Sequence, residues 1–238
     1  RWTVHGPYCD GWPINHAVGD PATGTMWAAG GGDWSGAGVW RSADGGRSWS
    51  LSRLTRGQMD QWAAEDPEFA AMIGWSDDPL PFGDEFSQIW SLARVGDRLY
   101  AGTKPANLIV SEDEGESWSP VKGLTAHPSA EEWSPGAAGL VLHTILADPR
   151  DPDRIWIGIS AAGVFFTEDA GATWERRNDL AEAAEGGVGD HPAAASDGHT
   201  GFCVHHVERA PGDDDLLYQQ NHHGVWRSDD GGRGWRNI

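Results

Sequence analysis

The sequence predicts an all-β repeat protein built from four-stranded antiparallel units, and three observations lead there. The octet pattern [Ser/Thr]-x-Asp-x-Gly-x-x-Trp occurs four times, beginning at Ser42, Ser111, Thr167 and Ser228. Short apolar runs bounded by turn residues precede every octet, as strands of a repeated unit would. Finally, 33 glycines and 15 tryptophans among 238 residues suit many short strands joined by tight turns.

Each octet reads as a turn with a fixed chemistry. Asp44, Asp113, Asp169 and Asp230 are short acceptors able to take hydrogen bonds from backbone N–H groups of their own turn. Gly46, Gly115, Gly171 and Gly232 follow two residues later, where a tight hairpin needs positive φ. Trp49, Trp118, Trp174 and Trp235 then restart a strand and offer a large ring to a neighbouring sheet. A site needs its residues once, whereas these recur in every unit, so the octets are structural.

The remaining strands follow by alignment. Inner strands are expected at Asn15–Val18, Trp90–Val95, His143–Ala147 and His205–Arg209, with second strands at 26–29, 98–102, 154–159 and 216–219. Third strands, at 38–41, 107–110, 163–166 and 224–227, run directly into the octets. The units so defined span about 12–52, 86–121, 140–178 and 202–238 of one domain, with 1–4 as an orphan strand in which Trp2 takes the place of Trp49. The octets are spaced more widely than the roughly 40–50 residues of a lean unit, and the excess falls at 53–86, 122–140 and 178–201. Within the first insertion, Gln58–Met72 carries a helical pattern that Pro67 must shorten or break.

The octets resemble Asp-boxes, also called BNR repeats, which occur in sialidases, xyloglucanase-type glycoside hydrolases, photosystem assembly factors and sortilin-type receptors. All of these are β-propellers. With its repeated strands and the stretch Tyr218-Gln-Gln-Asn-His-His-Gly-Val-Trp226, the whole chain resembles bacterial sialidase-like or glycosyl-hydrolase-like BNR repeat proteins. The resemblance implies a β-propeller with Asp-box blades, four of them visible here out of six or seven, and short helical insertions between blades.

It also implies a ligand face opposite the boxes, formed by the inter-blade connections and the loops between second and third strands. Asp33, Trp34, Trp90, Trp133, His143, His205, His222 and His223 fall on that face and are the candidate ligand-binding residues. Indole faces stack on pyranose rings while carboxylates and imidazoles serve the hydroxyls. Glycoside hydrolysis calls for two carboxyl groups across the scissile bond. Asp33, Asp84, Glu85, Glu131, Glu132, Asp190 and Asp197 are available there; Glu85 and Glu131, near the entries to inner strands, are the expected catalytic pair. A true sialidase would need an arginine triad and an exposed tyrosine-glutamate pair. Arg41, Arg47, Arg227 and Arg233 belong to the boxes and Tyr100 and Tyr218 to second strands, so a xyloglucanase-like activity is favoured over a sialidase one. The alternative is a non-catalytic scaffold or assembly factor that binds a protein partner on the same face. His143, His205 and His222 or His223 can also form a facial metal set, but histidines bonded to loops and water are commoner, so no metal and no cofactor is expected.

Composition limits the partners. A net charge of −19 opposes binding to nucleic-acid phosphates or anionic lipid, and no apolar run reaches the length of a membrane-spanning helix. Cys9 and Cys203 lack metal-site spacing and read as free thiols. No signal peptide is evident, yet Arg1 is not an initiator methionine; a missing natural start is expected, with the cytoplasm as the default compartment.

Overall fold

Alternation of apolar and polar residues, cut by glycine-rich turns, folds the chain into four antiparallel sheets of four strands, each ordered as in the sequence. The computed structural model describes residues 2–178 and 200–238. The first sheet comprises β1 (Ile14–Gly19), β2 (Met26–Gly32), β3 (Gly36–Ser42) and β4 (Ser50–Arg53). The second has β5 (Gln88–Val95), β6 (Arg98–Lys104), β7 (Leu108–Ser111) and β8 (Ser119–Pro120). The third has β9 (Val141–Ala147), β10 (Ile155–Ser160), β11 (Gly163–Thr167) and β12 (Glu175–Arg176), and the fourth β13 (His206–Arg209), β14 (Leu217–Asn221), β15 (Gly224–Ser228) and β16 (Arg236–Asn237). The expected inner strands thus form within a residue or two of their anticipated starts. The strand expected over 1–4 does not: residues 2–8 carry no strand and Trp2 is exposed. A lone strand has no stability without an edge to pair with, and this segment pairs with none of the four sheets.

The sheets stack face to face, and each gap is filled by apolar residues of the facing strands. Trp27, Val39 and Leu54 meet Ile89, Leu92 and Leu99 between the first and second sheets. Tyr100 and Leu108 meet Ile155, Ile157 and Phe165 between the second and third. Trp156, Val164 and Phe166 meet Val207, Leu217 and Trp226 between the third and fourth. β10 is buried along its whole length because both of its faces are covered.

Polar bonds cross each gap as well. At the inner strands, Asn15 Nδ2 donates to the Ile89 carbonyl (2.8 Å), Leu92 N–H to His16 Nδ1 (2.9 Å) and Ser91 Oγ to the Leu142 carbonyl (2.8 Å). At the other end, an aromatic residue near the start of β2, β6 and β10 reaches the following sheet's octet. Trp27 Nε1 donates to the Glu114 carbonyl (2.7 Å), the Tyr100 hydroxyl to that of Ala170 (3.2 Å) and Trp156 Nε1 to that of Gly231 (2.9 Å). Glu114, Ala170 and Gly231 all occupy the fourth octet position, where φ is positive.

The octets have the turn chemistry read from the sequence. The opening hydroxyl donates to the aspartate (2.7–2.8 Å) and accepts from the glycine N–H (2.8–2.9 Å). Backbone N–H groups of Ser48, Ser117, Thr173 and Gly234 donate to the four carboxylates. Gly46, Gly115, Gly171 and Gly232 hold φ of 86°, 93°, 97° and 95°. Hydroxyl bonds from Ser117 and Thr173, with backbone N–H bonds behind them, hold Asp113 and Asp169 at about 2 against an ordinary 3.8. A carboxyl lowered in the folded state stabilises it above the unfolded value and loses that contribution as pH falls through the folded one. The urea midpoint should therefore drop between pH 4 and pH 2, and drop less in Asp113→Asn/Asp169→Asn; an equal drop in that variant would place the acid sensitivity elsewhere.

The helical expectation for the first insertion holds, broken where proline stands. α1 (Gln58–Glu65) ends before Asp66, whose carboxylate caps α2 (Pro67–Ile73) by accepting from Glu68 N–H (2.9 Å) and Phe69 N–H (3.1 Å). Buried Asp60 ties the insertion down, accepting from Arg53 (2.6 Å), Gly57 N–H (2.8 Å) and Trp75 Nε1 (3.0 Å). α3 (Lys122–Thr125) and a 3-10 turn at Pro128–Glu132 occupy the second insertion.

Candidate functional site

Strand register divides every sheet into two ends. Gly19, Met26 and Ser42 pair at the octet end of the first sheet, while Ile14 pairs near the β2–β3 turn at the other. The third and fourth sheets repeat this, with Ile155 and Leu217 at the octet end and Ser160 and Asn221 away from it. Inner strands therefore begin at the end remote from the octets. That is where the candidate residues collect.

Four of them form a continuous row of rings drawn from three sheets. Trp90 on β5 stands edge-on to His143 on β9, with centroids 5.5 Å apart. His143 lies 5.9 Å from His205, just ahead of β13, and His205 lies 4.7 Å edge-on from His222 in the β14–β15 turn. The positions of Trp90, His143 and His205 follow from inner strands packed side by side, each carrying a ring near its start. Exposure increases along the row, from half-buried Trp90, His143 and His205 to exposed His222.

Burial, with His205 as a like-charged neighbour, pushes the His143 imidazole down to about 4. His205 is lowered by burial and then by His222, against a hydrogen bond to the Gln220 side chain that favours its charged form. His143 is consequently neutral at pH 7, offering one N–H and one lone pair, and the shift of His205 favours the same form.

Beneath His205 lies Cys203, a buried free thiol. Its Sγ is 2.7 Å from Ser160 Oγ and 3.5 Å from His205 Nε2. Gly136 covers this thiol closely enough that a Cβ there would stand 2.7 Å from Ser160 Oγ and 3.2 Å from Cys203 Sγ. Buried Asn221 fixes the hairpin against this layer. Its Nδ2 donates to the Gly201 carbonyl (3.2 Å), and its Oδ1 accepts from His223 N–H (2.8 Å) and Trp226 Nε1 (3.1 Å). Cys203, Ser160 and Asn221 were not among the sequence candidates; the Cys-x-His spacing of Cys203 and His205 was the available signal.

The other candidates make their contacts elsewhere. Trp34, in the β2–β3 turn beside Asp33, is edge-on to exposed Trp62 of α1 at 5.2 Å. Trp133 packs on Phe165 at 5.3 Å and donates its Nε1 to Ser129 Oγ (3.0 Å), so its ring serves the second insertion. His223 is exposed in the turn beside His222. Glu85 and Glu131 are exposed, the first ahead of β5 and the second in the 3-10 turn; Glu132 pairs with Arg176 at 3.4 Å. Asp190 and Asp197 lie outside the described residues. A shallow depression lined by Phe166, Glu168, Trp174 and Arg233 lies at the octet end, away from the rings.

No family model matches the chain. A stretch of 80 residues, 33% of this chain, is 34% identical to the oligoxyloglucan-reducing end-specific xyloglucanase of Emericella nidulans, covering 9% of that protein. Among solved structures, an ancestral GH74 enzyme matches with a TM-score of 0.57 and 16% identity, over 96% of this chain and 24% of that one. The GH74 xyloglucanase of Xanthomonas campestris gives 0.57 and 17%, over 94% and 30%, and YCF48 of Cyanidioschyzon merolae gives 0.53 and 15%, over 93% and 54%. The fold is propeller-like. At these identities the structural likeness establishes the fold alone, and the chain spans well under two thirds of the length of each of these proteins.

Proposed function

We propose that the chain is part of a glycoside-hydrolase-like Asp-box propeller, closed by six or seven blades, that binds an oligosaccharide of the xyloglucan kind at the end opposite the octets. The row Trp90, His143, His205 and His222 carries this reading. An indole ring and imidazole edges in one line match a sugar chain, whose apolar ring faces alternate with hydroxyls that need hydrogen-bond partners. The local identity to a xyloglucanase supports the same substrate class. For hydrolysis we assign Glu85 and Glu131, which flank the entries to β5 and β9, as the acid and base.

Calorimetry with xyloglucan oligosaccharides tests the binding, and reducing-end release tests the chemistry. Trp90→Ala should weaken binding about tenfold, the worth of one aromatic platform. Glu85→Gln or Glu131→Gln should abolish release while leaving binding intact. Unchanged affinity in Trp90→Ala would refute the ring row as the sugar site.

A second reading rests on the Trp34–Trp62 pair, 45% and 60% exposed at the edge of the first insertion. Exposed paired tryptophans are the kind of anchor that protein interfaces use, and they favour a scaffold that binds a protein partner.

A further inference from the structure

We infer that Cys203, His205 and His222 form a binding site for one zinc ion. This goes beyond the sugar-binding reading and does not rest on it. One ligand atom from each residue, a thiol sulfur and two imidazole nitrogens, lies within 4.8 Å of the others. Zinc bound at about 2.3 Å to sulfur and about 2.0–2.1 Å to nitrogen in a tetrahedron places those two ligands roughly 3.5 Å apart. Cys203 Sγ and His205 Nε2 stand at 3.5 Å.

The fold supplies both ligating strands. His205 N–H donates to the Gln220 carbonyl (2.9 Å), which sets the segment containing Cys203 and His205 against the end of β14, and the Asn221–Gly224 pair then turns the chain through His222. Asn221 holds the hairpin to Gly201, two residues ahead of Cys203, so the three ligands belong to one bonded unit. Ser160 Oγ, 2.7 Å from the sulfur, is placed to donate to a thiolate, the kind of support that orients metal ligands.

The donor set selects the ion. Thiolate with two imidazoles suits zinc and disfavours magnesium or calcium, which take oxygen ligands. Three protein ligands, graded from buried Cys203 to exposed His222, leave a fourth position open toward solvent, as in sites that hold water or substrate rather than closed structural ones. Binding replaces the S–H bond of Cys203 by a sulfur–zinc bond and releases that proton to solvent.

Cobalt(II) substitution in untagged, chelator-treated protein tests the site. One equivalent of cobalt should give a thiolate-to-metal charge-transfer band in the ultraviolet, which one equivalent of zinc removes. Cys203→Ser should lose the band, and His222→Gln, altered at an exposed position that leaves the fold intact, should keep it while binding zinc at least about tenfold more weakly. Cys9→Ser, which changes the other buried thiol, should match the wild type. Absence of the band at stoichiometric cobalt, its survival in Cys203→Ser, its loss in Cys9→Ser or unchanged zinc affinity in His222→Gln would each overturn the assignment. Xyloglucan binding is read separately by calorimetry on zinc-free protein, so either proposal can fail alone.

Discussion

Trp156→Ala should lower the unfolding free energy by about 3–5 kcal/mol, the range for truncating a large buried aromatic side chain. Trp156 is fully buried on β10, packs at 4.7 Å from Phe166 and belongs to the cluster that joins the third and fourth sheets. Its indole N–H also donates to the Gly231 carbonyl, across the gap into the fourth octet. Removing the ring opens a cavity and deprives that carbonyl of one of its donors. Trp156→Phe separates the two contributions: it keeps most of the apolar contact and loses the hydrogen bond, for about 1–2 kcal/mol. Urea titrations should show both variants with lower midpoints and unchanged slopes. A loss below about 1 kcal/mol for Trp156→Ala would mean that the sheets are held together elsewhere.

Trp156 is also a measure of what the sequence could reveal. The octets were legible because their chemistry is local: hydroxyl, carboxylate, glycine and indole sit within eight residues and close on one another. Inner strands were legible from the same alignment, and with them the placement of Trp90, His143 and His205 at one end of the sheets. The bond from Trp156 to Gly231 spans 75 residues and needs the sheet stacking to be known first. Even so, Met26-Trp27, Leu99-Tyr100, Ile155-Trp156 and Leu217-Tyr218 repeat an apolar–aromatic pair in register, each aromatic facing the residue before its octet. Cys203 was missed for a different reason. Metal-site spacing along a chain detects ligands on one local loop, whereas this thiol meets His222 only through a hairpin register. The strand expected over 1–4 rested on Trp2 alone, and a single tryptophan carries no information about which edge a strand would pair with.

Arg177→Ala should cost about 3–4 kcal/mol and Arg177→Met about 1–2, because packing rather than charge makes this residue important. The side chain is 1% exposed and its guanidinium lies 3.6 Å from the centre of the Phe166 ring. It donates to the Gly231 carbonyl (2.6 Å) and to Glu175 Oε2 (2.9 Å). Burial pulls its pKa below the usual arginine value, with Glu175 opposing, which shows that the charge is held at a desolvation cost. Glu175 is 39% exposed, so water takes over its solvation when the arginine goes, and little uncompensated charge remains. Alanine leaves a void over Phe166, and methionine refills most of it. Equal losses in the two variants would instead assign the stability to the polar bonds. Trp156 and Arg177 both donate to Gly231, so the two sites cannot be independent. Either single variant leaves that buried carbonyl one donor. In Trp156→Phe/Arg177→Met it loses both side-chain donors, and the double variant should fall below the sum of the single ones by about 1 kcal/mol or more, the cost of a buried acceptor left unbonded. Strict additivity would show that the carbonyl finds water in the double variant, and that the gap between the third and fourth sheets opens at its octet end.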